Sequence, residues 1–157
     1  MKSVYIETSI PSYLTARISS DVRAAAWQQI TSQWWDEERS KYDIFISELV
    51  ITEVSRGHQE AAKRRLESLE NIAELAIGEE MRELANVLMR GGGIPASSET
   101  DALHIAIAAV HRVDYLLTWN CRHINNAMTR PVIRRLCGET GHICPEICTP
   151  LELLSEA

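Results

Sequence analysis

Short apolar runs of strand-forming residues recur along this chain, and segments of helical period separate them. The runs are Val4-Tyr5-Ile6, Asp43-Ile44-Phe45-Ile46, Leu75-Ala76-Ile77 and Tyr115-Leu116-Leu117-Thr118. Between the first two, Val22 to about Glu37 carries Trp27, Ile30 and Trp34 at spacings of three and four, one face of a helix. Ser47 reads as an N-cap for a helix from about Glu48 to Arg56, which Gly57 stops. Gln59 to Glu70 carries a stripe of Ala62, Leu66 and Leu69. Helical periodicity returns at Met81, Leu84, Ala85 and Leu88, and again in Asp101 to His111 through Ala102, Ile105, Ala106 and Ala109. Near the end, Thr149-Pro150-Leu151-Glu152 is a capping box with proline at the first helical position. Strand alternating with helix predicts a three-layer α/β/α fold around a mostly parallel sheet of four to five strands. At 157 residues the chain reads as one domain over positions 1–157.

In such folds, sites form outside the carboxyl ends of the strands. Polar residues at those ends therefore carry the functional reading. Glu7 follows the first strand directly. Glu53 lies in the helix after the second strand, Asp101 opens the helix that feeds the fourth, and Asn120 sits just past that strand. Each has a local explanation: Asp101 completes a Ser98-x-x-Asp capping box, Glu53 can face solvent, Glu7 can cap its turn, and asparagine suits a turn. Together they suit a different chemistry. Neighbouring carboxylates repel, and a divalent cation removes that cost. Mg²⁺ in particular takes one or two carboxylates, retained waters and a phosphate.

Composition narrows the partners. The net charge of -6 argues against broad nucleic-acid binding through a basic surface, although Lys63-Arg64-Arg65, Arg130, Arg134 and Arg135 form local basic groups. The glycine run Gly91-Gly92-Gly93 lacks the phosphate-binding P-loop pattern, which excludes nucleotide binding of that type. No apolar run is long enough to span a bilayer and the N-terminus has no secretory pattern, so a cytoplasmic protein without a membrane partner is expected. Cys137, His142, Cys144 and Cys148 crowd together near the end. They are open to two readings, a zinc site or buried small hydrophobes.

The order of motifs resembles the PIN-domain ribonucleases, best known as the toxins of VapC-type toxin–antitoxin pairs. The matching stretches are Glu7-Thr8-Ser9, Ser47-Glu48-Leu49-Val50-Ile51-Thr52-Glu53, Asp101-Ala102-Leu103-His104-Ile105-Ala106-Ile107-Ala108 and Leu116-Leu117-Thr118-Trp119-Asn120. The resemblance implies that Glu7, Glu53 and Asp101 bind Mg²⁺ or Mn²⁺, and that Asn120 takes the fourth acidic position. Ser9 and Thr118 would support the site by hydrogen bonding, and RNA would be cleaved by hydrolysis. It also implies a homodimer and, for a toxin, a small antitoxin protein. Two residues depart from the pattern: Glu7 stands where aspartate is usual, adding a methylene, and Asn120 is neutral where aspartate is common. These departures motivate an alternative, a PIN-fold protein with weakened catalysis that acts by binding protein or RNA. A metal-dependent phosphohydrolase for a small substrate is a further reading.

Beside the motif residues, His123 and Arg122 lie within loop reach of the site, and His104 stands one turn after Asp101. Glu99 is a spare carboxylate. On the first long helix, Trp27 and Trp34 read as core or dimer packing, whereas Trp35 falls off that stripe and reads as an exposed contact.

Overall fold

A computed structural model describes residues 1–155. Its centre is a five-stranded, all-parallel sheet in the order β3-β2-β1-β4-β5, formed by β1 (Ser3–Ile6), β2 (Asp43–Ser47), β3 (Ala73–Leu75), β4 (Tyr115–Leu117) and β5 (Glu146–Cys148). The helices are α1 (Ser9–Thr15), α2 (Val22–Glu37), α3 (Glu48–Val54), α4 (Gln59–Ser68), α5 (Glu79–Arg90), α6 (Glu99–Val110) and α7 (Arg130–Glu139). α1 packs on α2 and α4, and α5 packs on α6 and α7, so helical layers cover both faces of the sheet. Val4, Tyr5 and Ile6 are fully buried, as expected for a central parallel strand covered on both faces. α6 is buried over every residue from Ala102 to Ala109, which explains why its sequence is apolar on all sides.

The strand order creates a crevice. From β1 the chain moves one way to β2 and β3, then returns to the other side of β1 for β4 and β5. The order therefore reverses between β1 and β4, where an open parallel sheet splits at its carboxyl edge. The register pairs Ile6 with Leu117, and the Glu7 amide donates to the Leu117 carbonyl at 3.1 Å. Glu7 and Thr118 thus meet at the switch point, although 111 positions separate them.

Several elements differ from the sequence expectation. The third strand is Ala73–Leu75, two residues before Leu75–Ile77, because backbone pairing with Phe45, Ile46 and Ser47 sets it. It is an edge strand with Ala73 and Glu74 exposed, so hydrophobicity does not mark it. α1, α7 and β5 went unanticipated: α1 is seven residues long, β5 three, and α7 buries only Ile133, Leu136 and Cys137. The capping box at Thr149 forms as expected, with the Thr149 amide donating to Glu152 Oε1 at 2.9 Å, and the turn it opens is a 3-10 helix, Pro150–Leu153. Trp34 is buried as expected, whereas Trp35 is only half-exposed and lies beneath the Arg39 guanidinium, 4.5 Å from its ring centre.

Two of the basic residues and two of the cysteines have defined places in the fold. Arg65 donates to the carbonyls of Val54 at 3.0 Å and Arg56 at 2.6 Å, and Arg64 to that of Thr15 at 3.3 Å. Cys137 and Cys148 are buried in the core, and burial raises the Cys148 thiol to about 12. Among the described residues no helix is long and apolar enough to cross a membrane.

Candidate active site

Glu7 is only 5% exposed, yet it is a carboxylate. Three donors meet its Oε1: the Ser9 amide at 3.1 Å, the Ser9 hydroxyl at 2.5 Å and the Thr118 hydroxyl at 2.7 Å. Burial of a charge is tolerable only with such partners. Ser9, two residues on, closes Glu7's own turn, and Thr118 reaches the same oxygen from the end of β4. Ser9 Oγ also receives the Trp119 amide at 2.8 Å, which ties the loop after β4 to the start of α1.

Glu53 reaches the site from α3. Its Oε1 accepts the Thr8 hydroxyl at 2.8 Å and His104 Nε2 at 2.5 Å. Burial pushes the Glu53 carboxyl up, but the hydrogen bonds from His104 and Thr8 outweigh it and hold the group below the usual carboxylate range. His104 is fully buried, and its Nδ1 lies 2.8 Å from the Tyr5 hydroxyl, itself 2.7 Å from Ser47 Oγ. Desolvation pushes the Tyr5 phenol far above its ordinary value, so it stays a hydroxyl.

Asp101 faces His123, with Oδ2 and Nδ1 3.0 Å apart, and Ser98 Oγ lies 3.2 Å from the same nitrogen. The expected Ser98–Asp101 capping box is absent, since Ser98 makes no side-chain cap bond and both residues turn to His123 instead. Ser47 likewise holds the N-cap position of α3 without a side-chain cap bond, its hydroxyl being used by Tyr5. Serines that look like helix caps in the sequence are thus diverted into the site. Asn120 Oδ1 accepts the His123 amide at 3.0 Å, while the Asn120 amide donates to Thr118 Oγ1 at 2.9 Å. Its side chain shapes its own loop, the turn role open to it in the sequence. Arg122 and Glu99 are exposed.

These contacts close into a ring. From Asp101 it passes through His123, Asn120 and Thr118 to Glu7, through the adjoining Thr8 to Glu53, and through His104 back to the helix of Asp101. In the sequence Tyr5 stood only as a strand residue, Thr8 only as the middle of a motif and Ser98 only as a helix cap; none was named for the site.

A family model described as PIN domain matches residues 4–125. The chain belongs to the PIN domain family. No curated protein matches it. The fold and the order of motifs agree with the family, which supports a nuclease-like role in general.

The family often binds divalent metals, and the donor set can be tested for that on its own geometry. Among the described residues, no three His, Cys, Asp or Glu side chains are gathered into a ready-made metal cage. Each carboxylate nevertheless takes its hydrogen bonds on one oxygen: Oε1 in Glu7 and Glu53, Oδ2 in Asp101. The second oxygen of each accepts no hydrogen bond among the described residues. Hard oxygen donors, held singly, fit a water-rich ion such as Mg²⁺ rather than a cage-bound one.

Proposed function

We propose that this PIN-family chain is a Mg²⁺- or Mn²⁺-dependent endoribonuclease that hydrolyses RNA phosphodiester bonds. The same reading makes it the toxin of a toxin–antitoxin pair, a homodimer with a small antitoxin protein as partner. The observation that carries the enzymatic part is the set of three carboxylates, each clamped through one oxygen, linked around the carboxyl edge of a parallel sheet.

Glu7, Glu53 and Asp101 would hold the ion through their unbonded oxygens. A bound divalent ion supplies neutralisation of the phosphate charge and acidification of a water. Ser9 and Thr118 fix the Glu7 carboxylate, so its free oxygen has one direction. His123 holds Asp101 and, 28% exposed in its side chain, offers the nearest half-open imidazole for proton transfer or a phosphate contact. Asn120 keeps the loop carrying His123 in place.

The test is cleavage of mixed single-stranded RNA with Mg²⁺, with Mn²⁺ and with chelator, the Asp101→Asn variant run in parallel. Metal-dependent cleavage that disappears in the variant is expected. Equal cleavage by both proteins would assign the activity to a contaminant.

One observation favours a second reading. Among the described residues, the ligand-type side chains are not gathered as a group of three, which suits a PIN-fold protein of weakened catalysis that acts by binding protein or RNA. That reading expects a folded protein without cleavage, with RNA or partner binding unchanged by Asp101→Asn.

A further inference from the structure

Behind the His104–Glu53 bond runs a buried relay whose further members, Tyr5 and Ser47, have no part in the reading above. It comprises Ser47, Tyr5 and His104, all fully buried, and it joins the end of β2, the middle of β1 and the second turn of α6. Its far end is His104 Nε2 on Glu53 Oε1 at 2.5 Å. A carboxylate only accepts, so Nε2 carries the proton of this bond. With the Thr8 hydroxyl at 2.8 Å on the same atom, both lone pairs of Glu53 Oε1 are taken. Oε2 alone remains.

We propose that His104, fixed by Tyr5 and Ser47, is a positioning residue that makes Glu53 a one-oxygen ligand and so selects small octahedral ions over Ca²⁺. The proposal rests on the metal-dependent reading of the site. Ca²⁺ takes about 6–8 oxygens and often both oxygens of one carboxylate, whereas Mg²⁺ keeps its waters and takes one. A glutamate with both oxygens free can turn to grip Ca²⁺ with the pair. The relay denies it that turn.

Two substitutions separate positioning from mere filling of space. In His104→Gln the amide nitrogen falls near the place of Nε2 and still donates to Glu53. In His104→Asn it falls near Nδ1, and Glu53 loses the donor. Mg²⁺, Mn²⁺ and Ca²⁺ affinities would be measured by titration calorimetry on each protein, with urea unfolding to confirm a folded state. Against wild type, His104→Asn is expected to shift the Mg²⁺:Ca²⁺ affinity ratio towards Ca²⁺ by about tenfold or more, the scale on which outer partners tune metal affinity. His104→Gln should keep the wild-type ratio. Thr8→Val, at a half-buried position, removes the other donor and should shift the ratio the same way even if His104→Asn fails to fold. An unchanged ratio in His104→Asn and Thr8→Val, or equal shifts in the Gln and Asn variants, would overturn the proposal alone. Ion binding that is absent from wild type, or indifferent to Asp101→Asn, would overturn the metal reading and the proposal with it.

Discussion

Thr118 shows how much one hydroxyl can carry. It is fully buried, donates to Glu7 Oε1 at 2.7 Å and receives the Asn120 amide at 2.9 Å. Thr118→Val keeps the shape and removes both bonds. The expected loss is about 1.5–3 kcal/mol, the range for hydrogen bonds to charged groups, read from urea unfolding. RNA cleavage should fall with it; a stability change within experimental scatter would mean that Ser9 alone holds Glu7. A similar argument applies behind the site. Trp119 stacks on Trp27 with centroids 4.7 Å apart, and its indole N–H donates to the buried Thr31 hydroxyl at 2.7 Å. Thr31→Val leaves that N–H without a partner and should cost about 1–3 kcal/mol in the same measurement. At this scale the sequence was partly legible. Glu7, Ser9 and Thr118 could be named from their motifs, but which oxygen each donor meets could not.

α3 is too short to be stable alone, so its ends matter. Gly57, which the sequence marked as its stop, adopts φ +84° with open space around the missing Cβ. Gly57→Ala should therefore cost about 1 kcal/mol through backbone strain alone, measured as a shift in the urea midpoint. Arg65 of α4 adds what the sequence did not disclose, by donating to the Val54 and Arg56 carbonyls just beyond Glu53. Arg65→Met is expected to speed amide hydrogen exchange in α3 while leaving α6 protected; uniform exchange across both helices would refute a local role. Long helices were readable because their apolar stripes repeat over several turns. β3 and β5, at three residues each, hold too few positions for any period to register.

At the scale of the molecule, Ser155 is tied to the C-cap of α2 by the Glu38 carboxylate. Glu38 accepts Lys41 Nζ at 2.9 Å, the Ser155 amide at 3.2 Å and the Ser155 hydroxyl at 2.9 Å. Lys41 first, then Ser155, hold its carboxyl below the ordinary range against the opposing effect of burial. A folded-state pKa that is lowered contributes stability above the unfolded value, and that contribution is lost as pH falls through the folded one. Stability should therefore decline on acidification below about pH 5, and Glu38→Gln should decline less steeply over that window. Identical acid limbs would show that this tie contributes nothing.

The sequence by itself determined the alternation of strand and helix, a signal that repeats between neighbours a few residues apart, and with it the address of Glu7 after β1, Glu53 in α3 and Asp101 in the first turn of α6. The tertiary structure decided the rest. The parallel register that sets Ile6 against Leu117 brings Thr118 onto Glu7, and the packing of α6 on the sheet brings His104 between Tyr5 and Glu53. Those hydrogen bonds join residues 51 to 111 positions apart, and no local period encodes a contact at that separation.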